Sequence, residues 1–359
     1  MKAYLILEDK TIFSGMGIGS DKEIVSELVF NTSMTGYTEI LTDPSYAGQA
    51  VVMTYPIIGS YGVSYEDMES VRPCAQALIV RELSDISSNF RSRTGLEEFM
   101  FKYDIPGISG IDTRHLTKKL RDYGTMNAMV TRKLPQGSDL DKVIERIRAY
   151  RVKGVVEAVT CKKSYTLPGN GMKVALLDCG AKDNIAKSLH KRGCHVTVWP
   201  AFTEAQTIID SKPDGIMLSN GPGDPKENTQ IIKQIKKLYD SDIPIFAICL
   251  GHQLMALALG GDTYKLKYGH RGGNHPVKDH ETGRTYITSQ NHGYAVDEKS
   301  LDKSVAQAAF TNVNDGTNEG LRYIGKNIFT VQYHPEACPG PHDSDYLFDK
   351  FIKMMEDNR

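Results

Sequence analysis

The chain has 359 residues, a formal net charge of −1 and 24% charged residues. This balance argues against a nucleic-acid-binding protein, which usually carries a basic excess, and the length is sufficient for two domains. The apolar run before Lys10 is too short for a signal peptide. The cysteines are widely spaced and form no C-x-x-C pair, which indicates reduced thiols, so we expect a cytoplasmic protein.

Residues 1–150 are predicted to form a β-rich α+β domain. Short alternating or apolar runs predict strands at residues 3–7, 24–30, 50–54 and 75–80. Helical patterns predict helices at residues 96–103, 113–123 and 139–150. The glycine-rich residues 15–19 lack the strand–loop–helix context of a phosphate loop and predict a turn. Residues 151–172 show little periodicity and contain a Pro-Gly-Asn-Gly sequence, which predicts a linker.

Residues 173–359 show a different pattern, in which strands alternate with helices. Buried strands are predicted at residues 173–178, 195–199, 215–219 and 243–248. Alternation of this kind predicts an α/β domain with a doubly wound, mostly parallel sheet covered by helices on both faces. The functional site of such a sheet lies beyond the carboxyl ends of its strands. Three polar segments fall at predicted strand ends: residues 219–225, the turn at Cys249, and residues 332–336.

Cys249 is the candidate nucleophile. The predicted strand before it ends abruptly at the cysteine and a helix-favouring segment follows, which is typical of a nucleophile elbow. The turn places the thiol at a helix N-terminus, where the macrodipole favours the thiolate. The same stretch taken alone is equally consistent with a small buried cysteine. Residues 243–261 contain no Asp, Glu, Lys or Arg, but Pro244, His252 and the glycines favour a buried strand–turn–helix over a membrane span.

A thiol nucleophile needs a base, and the base needs a group that orients it. His334 follows a strand-like run, and Glu336 lies two residues on, on the same side of an extended chain. The Gly-Pro-Gly turn at residues 221–223 lets backbone N–H groups approach a ligand, and with the N–H of Leu250 it can form an oxyanion hole. A His-Pro-Glu sequence by itself is more often a surface turn. The catalytic hypothesis depends on the joint occurrence of elbow, glycine turn and His-x-Glu at predicted strand ends.

No metal site is predicted. His334, Cys338 and His342 recur at four-residue steps, but intervening prolines preclude the helix that would align them. The sequence contains no G-x-x-x-x-G-K-[ST] phosphate loop and no evident acidic metal cluster. We therefore expect no cofactor on this chain.

The sequence Cys249-Leu250-Gly251-His252-Gln253, together with His334-Pro335-Glu336, resembles the class I (triad) glutamine amidotransferases. Over essentially its full length the chain resembles the small subunits of glutamine-hydrolysing carbamoyl-phosphate synthase. The N-terminal motifs carry this narrower resemblance, because other class I amidotransferases lack that domain; they lie at residues 31–37, 41–46 and 110–114. Further matching motifs lie at residues 272–276, 290–294 and 339–343.

The resemblance implies hydrolysis of L-glutamine to glutamate and ammonia through a cysteinyl thioester. It assigns nucleophilic attack to Cys249, proton transfer to His334 and orientation of His334 to Glu336, with the N–H groups of Leu250 and Gly223 holding the oxyanion. The positions implied to bind glutamine are Ser45, Gly221, Gly223, Leu250, Gln253, Asn291, Gly293 and Tyr294.

One departure from the family pattern lies beside the nucleophile. The family usually has glycine two residues before the cysteine, where this chain has Ala247. Alanine keeps the position small but does not adopt a left-handed backbone easily. If that conformation is required, the elbow would be distorted; if the strand continues, nothing changes.

The resemblance also implies a partner chain, a large synthetase subunit, in a heterodimer or a higher oligomer. That chain would receive the ammonia and make carbamoyl phosphate from bicarbonate and ATP, for arginine or pyrimidine biosynthesis, with ATP and Mg²⁺ bound on the partner. The domain at residues 1–150 is the expected docking surface, because no catalytic residue is predicted there. We expect no membrane association.

Three alternatives remain open. The first is an amidotransferase subunit of another synthetase, such as those for anthranilate or GMP, and the extra N-terminal domain argues against it. The second is a free-standing cysteine hydrolase of γ-glutamyl compounds. The third is a non-catalytic scaffold, against which the presence of Cys249, His334 and Glu336 argues.

Overall fold

The computed structural model describes residues 1–337 and 339–359. Cys338, a member of the four-residue series discounted as a metal site, lies outside the described residues. The chain divides into two compact units, Met1–Lys153 and Gly154–Arg359. Within the described ranges, no helix is long and apolar enough to span a membrane.

The first unit is built around a closed barrel. Its strands are β1 (Lys2–Leu7), β2 (Ile12–Gly19), β3 (Ile24–Asn31), β4 (Gln49–Met53), β5 (Ile57–Ile58), β6 (Ala77–Ile79), β7 (Glu82–Leu83), β8 (Pro106–Ser109) and β9 (Met126–Thr131). Its helices are α1 (Tyr37–Thr42), α2 (Leu96–Lys102), α3 (Thr113–Tyr123) and α4 (Ser138–Ala149). The barrel order is β1-β2-β8-β6-β4-β3-β9, closed by antiparallel pairing of β9 with β1, and β5 pairs with β7 separately. The predicted β-rich α+β character of this unit is confirmed.

The turn predicted at the glycine-rich residues 15–19 is wrong, because these residues lie within β2. The glycines are needed for close packing in the barrel wall. A Cβ atom at Gly15 would lie 2.1 Å from the carbonyl oxygen of Ser109, and one at Gly17 would lie 1.7 Å from the Arg132 guanidinium. That guanidinium donates hydrogen bonds to the carbonyls of Gly107 and Ile18, at 3.0 Å each.

The second unit contains a mixed sheet with helices on both faces. Its strands are β10 (Tyr165–Leu167), β11 (Lys173–Asp178), β12 (His195–Pro200), β13 (Gly215–Leu218), β14 (Ile245–Ile248), β15 (Asp262–Asp279), β16 (Thr285–Asp297), β17 (Ala306–Asn312), β18 (Asn318–Tyr323) and β19 (Ile328–Val331). Its helices are α5 (Val155–Val159), α6 (Asp183–Lys191), α7 (Ala205–Asp210), α8 (Thr229–Tyr239), α9 (Leu250–Ala258) and α10 (Tyr346–Asp357). The segment expected to be a linker therefore carries α5 and β10.

The strand order is β10-β12-β11-β13-β14-β19-β18-β17-β15-β16. The central strands β12, β11, β13, β14 and β19 pair in parallel, which confirms the predicted α/β class. Antiparallel strands extend this parallel centre on both sides, most of them on the side of β18, β17, β15 and β16.

Alternate residues of β11 show why both faces are covered. Val174 and Leu176 pack in one apolar cluster with residues of α6 and α10. Ala175 and Leu177 pack in another with residues of α7, α8 and α9. A strand whose successive side chains point to opposite faces must be apolar throughout when both faces are buried. The carboxyl ends of the parallel strands are thus the accessible edge at which a site can form.

Candidate active site

The strand–turn–helix predicted at the nucleophile is present. Cys249 joins β14 directly to α9 with φ 52° and ψ −104°, a backbone conformation that is strained for a residue with a side chain. Its N–H donates to the carbonyl of Val331 at 2.8 Å, which fixes the turn to the end of β19. A Cβ atom at Gly251 would lie 2.6 Å from the carbonyl oxygen of Leu218. Glycine at this position therefore allows the first turn of α9 to lie against β13.

The replacement of the usual glycine by Ala247 does not distort the elbow. Ala247 lies inside β14 and pairs with Leu218 on one side and Thr330 on the other. The strand therefore continues to Ile248, and the positive φ angle begins only at Cys249.

His334 and Glu336 form a buried hydrogen-bonded pair beyond the end of β19. The Nδ1 atom of His334 lies 2.6 Å from Oε1 of Glu336, and both side chains are buried. Since a carboxylate accepts, Nδ1 carries the proton and donates, which leaves the lone pair on Nε2. Nε2 has no hydrogen-bond partner among the described residues. The imidazole is thus in the tautomer that a general base requires. The backbone N–H of His334 donates to the Ser289 carbonyl at 2.9 Å, which ties the pair to β16.

Lys182 is a site residue that sequence reasoning missed. Its Nζ atom lies 2.9 Å from Oε1 of Glu336, and its side chain is only 4% exposed. Burial alone would raise the pKa of Glu336, but the charge of Lys182 and the hydrogen bond from His334 outweigh burial and lower that pKa to about 2. Glu336 is therefore ionised at neutral pH. The sequence did contain a pointer to this residue, because Lys182 lies four residues after Asp178, at the carboxyl end of a predicted parallel strand.

Two side chains fix the predicted oxyanion turn to the loop that carries Lys182. The hydroxyl of Ser219 accepts the N–H of Cys179 at 2.9 Å, and the Asn220 side-chain oxygen accepts the N–H of Lys182 at 3.0 Å. Gly223 follows with φ 87°, a value that favours glycine, and a Cβ atom there would lie 2.7 Å from Val155 Cγ2. The loops after β11 and β13 therefore form one connected edge beside the elbow.

Several of the residues implied to bind glutamine lie around the elbow. Leu250 is the first residue of α9, and the Cys249 thiol donates to the carbonyl of Asn291 over 3.8 Å. The side-chain amide of Gln253 donates to the Tyr294 carbonyl and to the Gln332 side-chain oxygen, at 2.9 Å each. The structure thus brings Gln253, Asn291 and Tyr294 together with the nucleophile.

The remaining predicted positions divide between the two units. Gly293 lies in β16 between Asn291 and Tyr294. A Cβ atom at Gly221 would lie 2.2 Å from the carbonyl oxygen of Cys179. Ser45 lies in the first unit, where it is buried and its N–H donates to the Asp43 carboxylate at 2.8 Å.

A second cluster, which shares no residue with the triad, is suited to metal binding. His270, His292 and Glu319 lie on β15, β16 and β18, and one ligand atom of each lies within 4.8 Å of the others. All three residues are buried. No short spacing relates them, because pairing of β15 with β16 and the return of the chain in β18 bring them together.

A buried cysteine at a helix N-terminus, with an oriented imidazole supplied by a parallel strand nearby, is suited to covalent acyl transfer. Backbone N–H groups at the start of α9 are not used by the helix itself and are available to a developing oxyanion. The buried carboxylate and ammonium fix the imidazole from behind.

Comparison with known proteins relates both units to described families. The family described as glutamine amidotransferase class-I matches residues 175–354, and the carbamoyl-phosphate synthase small chain, CPSase domain, matches residues 5–130. A protein named carbamoyl phosphate synthase small chain from Oceanobacillus iheyensis is 49% identical over 99% of this chain and 96% of its own length. A protein of the same name from Listeria monocytogenes is 48% identical over 99% of this chain and 97% of its own length. A solved structure described as a glutamine amidotransferase from Thermotoga maritima covers 53% of this chain and 86% of its own, with 17% identity and a TM-score of 0.38.

Proposed function

The chain belongs to the family of carbamoyl phosphate synthase small chains, and we propose that Cys249, His334 and Glu336 are the residues with which it hydrolyses glutamine. The family assignment makes it the glutaminase subunit of that enzyme. The observation that supports these residue roles is the buried His334–Glu336–Lys182 chain beside the elbow at Cys249.

The proposed reaction begins with proton transfer from the Cys249 thiol to Nε2 of His334. The thiolate attacks the side-chain carboxamide carbon of glutamine, and the N–H groups of Leu250 and Gly223 stabilise the oxyanion that forms. Collapse of the tetrahedral intermediate breaks the C–N bond, and the imidazolium of His334 gives its proton to the leaving amine, which departs as ammonia. Water then attacks the thioester with His334 as base, which releases glutamate and restores the thiol.

In this scheme Glu336 keeps the His334 proton on Nδ1 and stabilises the imidazolium that forms in each half-reaction. Lys182 acts through Glu336, since it keeps that carboxylate ionised in a buried site. Lys182 is therefore a positioning residue. We extend the proposal to Ser45, Gly221, Gln253, Asn291, Gly293 and Tyr294 as glutamine-binding residues.

We further propose that the first unit is the docking surface for the large synthetase chain, which would bind ATP and Mg²⁺. A cavity of 530 Å³ in this unit is lined by Arg81, Arg114, Lys118 and Arg121. Among the described residues, its lining includes no carboxylate, and the side chains of Arg81, Arg114 and Lys118 make no ion pair or hydrogen bond.

Two exposed apolar side chains flank a residue that lines the cavity. Pro56, which lines the cavity, lies between Tyr55 and Ile57, both large and exposed. Cations without a protein partner, near exposed apolar side chains, favour contact with an acidic segment of a partner chain. Arg114→Glu should weaken assembly with the large chain, whereas Arg148→Glu, at an exposed position on α4, should not. Equal assembly of both variants would place the docking surface elsewhere.

The deciding experiment is the glutaminase rate of the purified chain, alone and with the large chain, ATP and bicarbonate. We expect slow hydrolysis alone, acceleration by the partner, and formation of carbamoyl phosphate. A fast rate that does not respond to the partner would favour a free-standing hydrolase. An inactive chain under both conditions would contradict the proposed triad.

A further inference from the structure

We propose that His270, His292 and Glu319 bind a divalent first-row transition-metal ion, with the side-chain oxygen of Gln290 as a further ligand. This site does not depend on the proposed roles of Cys249, His334 and Glu336.

One nitrogen of each imidazole, here called the outer nitrogen, donates a hydrogen bond to a group outside the cluster. Nε2 of His270 lies 2.8 Å from an Asp315 carboxylate oxygen, and Nδ1 of His292 lies 2.7 Å from the carbonyl oxygen of Tyr294. Both partners only accept hydrogen bonds, so the protons of the neutral rings lie on these outer nitrogens. A ring N–H held by a carboxylate or a backbone carbonyl is the usual arrangement around a metal-bound histidine. In a neutral ring the inner nitrogen carries a lone pair. Burial lowers the pKa of His270, but Asp315 and Glu319 outweigh burial and raise that pKa to about 9, so a metal ion would displace a proton from Nδ1 of this ring.

Both inner nitrogens face the same oxygen. Oε1 of Gln290 lies 3.0 Å from Nδ1 of His270 and 2.9 Å from Nε2 of His292. The amide orientation is fixed by a chain of donors, in which the Gln290 NH₂ group donates to the Thr288 hydroxyl and that hydroxyl donates to the His275 carbonyl. Gln290 therefore presents its oxygen, which cannot donate to either imidazole.

Glu319 adds a negative charge to this group of acceptors. Its Oε1 lies 3.5 Å from Nδ1 of His270 and accepts from the Asn312 side chain at 3.0 Å. Its Oε2 is buried and has no hydrogen-bond partner among the described residues. The residue is 0% exposed, so water does not compensate this oxygen. A buried carboxylate oxygen without a hydrogen-bond partner, beside two imidazoles, is suited to binding a cation.

The distances are compatible with a metal ion. In a tetrahedral site with metal–ligand bonds of about 2.0–2.1 Å, neighbouring ligand atoms are separated by about 3.3 Å. Gln290 Oε1 lies 3.0 Å from Nδ1 of His270 and 2.9 Å from Nε2 of His292, and Glu319 Oε1 lies 3.5 Å from Nδ1 of His270. One proton would satisfy only one of the two imidazoles. Two protons would place two imidazolium rings 4.9 Å apart between centroids in a buried site.

The ligand set indicates the class of ion. Two imidazoles, one carboxylate and one amide oxygen, without a thiolate, suit Zn²⁺, Fe²⁺, Co²⁺ or Mn²⁺ rather than a soft ion such as Cu⁺. The ion would join β15, β16 and β18, which lie at the antiparallel side of the sheet. It would thereby fix the segment of β16 that carries Asn291, whose carbonyl accepts the Cys249 thiol.

The test uses the full-length chain, stripped with a chelator and titrated with ZnCl₂ by calorimetry, with metal retained after dialysis counted by mass spectrometry. We expect one Zn²⁺ per chain. Glu319→Gln, which keeps the shape and removes the charge, and Asp315→Asn, which removes the carboxylate that holds His270, should each weaken binding by about 10- to 100-fold. His280→Ala, at an exposed histidine of the same unit, is the matched control and should leave the affinity unchanged.

A second measurement distinguishes this site from the catalytic thiol without any ligand variant. X-ray absorption of the Zn²⁺-loaded or Co²⁺-loaded wild-type chain should show nitrogen and oxygen ligands, including histidine, and no sulfur. A sulfur ligand that disappears in Cys249→Ser would overturn the proposal. So would a wild-type chain that retains no metal, or equal affinity in the Glu319→Gln and wild-type chains.

Discussion

Nζ of Lys182 lies 2.9 Å from Oε1 of Glu336, the same oxygen that accepts a hydrogen bond from Nδ1 of His334. The proposed base is thus oriented by a carboxylate that is itself held by a buried cation. Neither side chain of the Lys182–Glu336 pair has appreciable contact with solvent. Removing one charge would leave the other uncompensated in the protein interior, so the pair acts as a unit.

Lys182→Met should reduce the glutaminase kcat by roughly tenfold. This loss is smaller than the 10²–10⁴-fold that general acid–base catalysis supplies, because the base itself remains. The Glu336 pKa, now lowered to about 2, would rise without the ammonium, because only His334 would then oppose the effect of burial. The acid limb of the pH–rate profile should therefore move to higher pH, whereas Lys182→Arg, which keeps the charge, should retain most of the wild-type limb. A lower kcat with an unmoved acid limb would show that Lys182 is merely structural.

The same pKa shift predicts how acid affects folding. The carboxyl of Glu336 has a pKa lowered from 4.5 to about 2 in the folded chain, so its ionised form stabilises the fold. This contribution is fully present above pH 4.5 and is lost as pH falls toward 2. Glu336→Gln should therefore have a flatter dependence of melting temperature on pH between 5 and 3 than the wild-type chain. An unchanged slope would argue against a strongly lowered pKa.

Replacing the base should cost more activity than replacing the group that orients it. We expect His334→Asn to lose nearly all glutaminase activity and Glu336→Gln to retain a measurable fraction, because an unoriented imidazole still accepts a proton. Single-turnover thioester formation is the measurement, since it reports the first half-reaction alone. A greater loss in Glu336→Gln than in His334→Asn would assign Glu336 a more direct role.

Cys249→Ser should abolish glutamine-dependent synthesis in the complex with the large chain while ammonia-dependent synthesis continues. The substitution removes the thiolate but keeps the size of the side chain. Carbamoyl phosphate formation from each nitrogen source gives the two rates, and size-exclusion chromatography checks assembly. Equal loss of both rates in an assembled complex would contradict the assignment of Cys249 as the nucleophile for glutamine hydrolysis.

Gly251→Ala should destabilise the second unit by about 1–3 kcal/mol, the usual range for overpacking. The added Cβ would lie 2.6 Å from the Leu218 carbonyl oxygen, so α9 must move away from β13. Denaturant unfolding measures the change. Gly95→Ala is the control, since its Cβ would meet nothing within 4 Å and its φ angle of −71° suits alanine. Similar losses in both variants would mean that close packing at Gly251 is not the cause.

The features that were predictable from sequence are those that neighbouring residues encode. The elbow follows from an apolar run that ends at Cys249, and the parallel arrangement follows from alternating strands and helices. Ala247 showed the limit of this reasoning: its effect depended on whether β14 continued, and the pairing with Leu218 and Thr330 decided that.

Features that depend on long-range pairing were not predictable. Closure of the barrel needs β1 to pair with β9, and no local pattern records this pairing. Lys182 meets Glu336 only because the loops after β11 and β19 reach the same edge of the sheet. The prediction of a turn at the glycines of β2 failed for a related reason, since the residues against which these glycines pack belong to β8 or are Arg132.

The backbone of Cys249 has an evolutionary consequence. A residue with a side chain at φ 52° and ψ −104° carries strain of about 1–3 kcal/mol that glycine would relieve. A chain selected only for stability would replace this cysteine, so Cys249→Gly should give a protein that melts at a higher temperature and does no chemistry. A strained cysteine is expected at this position if selection maintains a reaction that needs its thiol. A non-catalytic scaffold would gain stability by losing it.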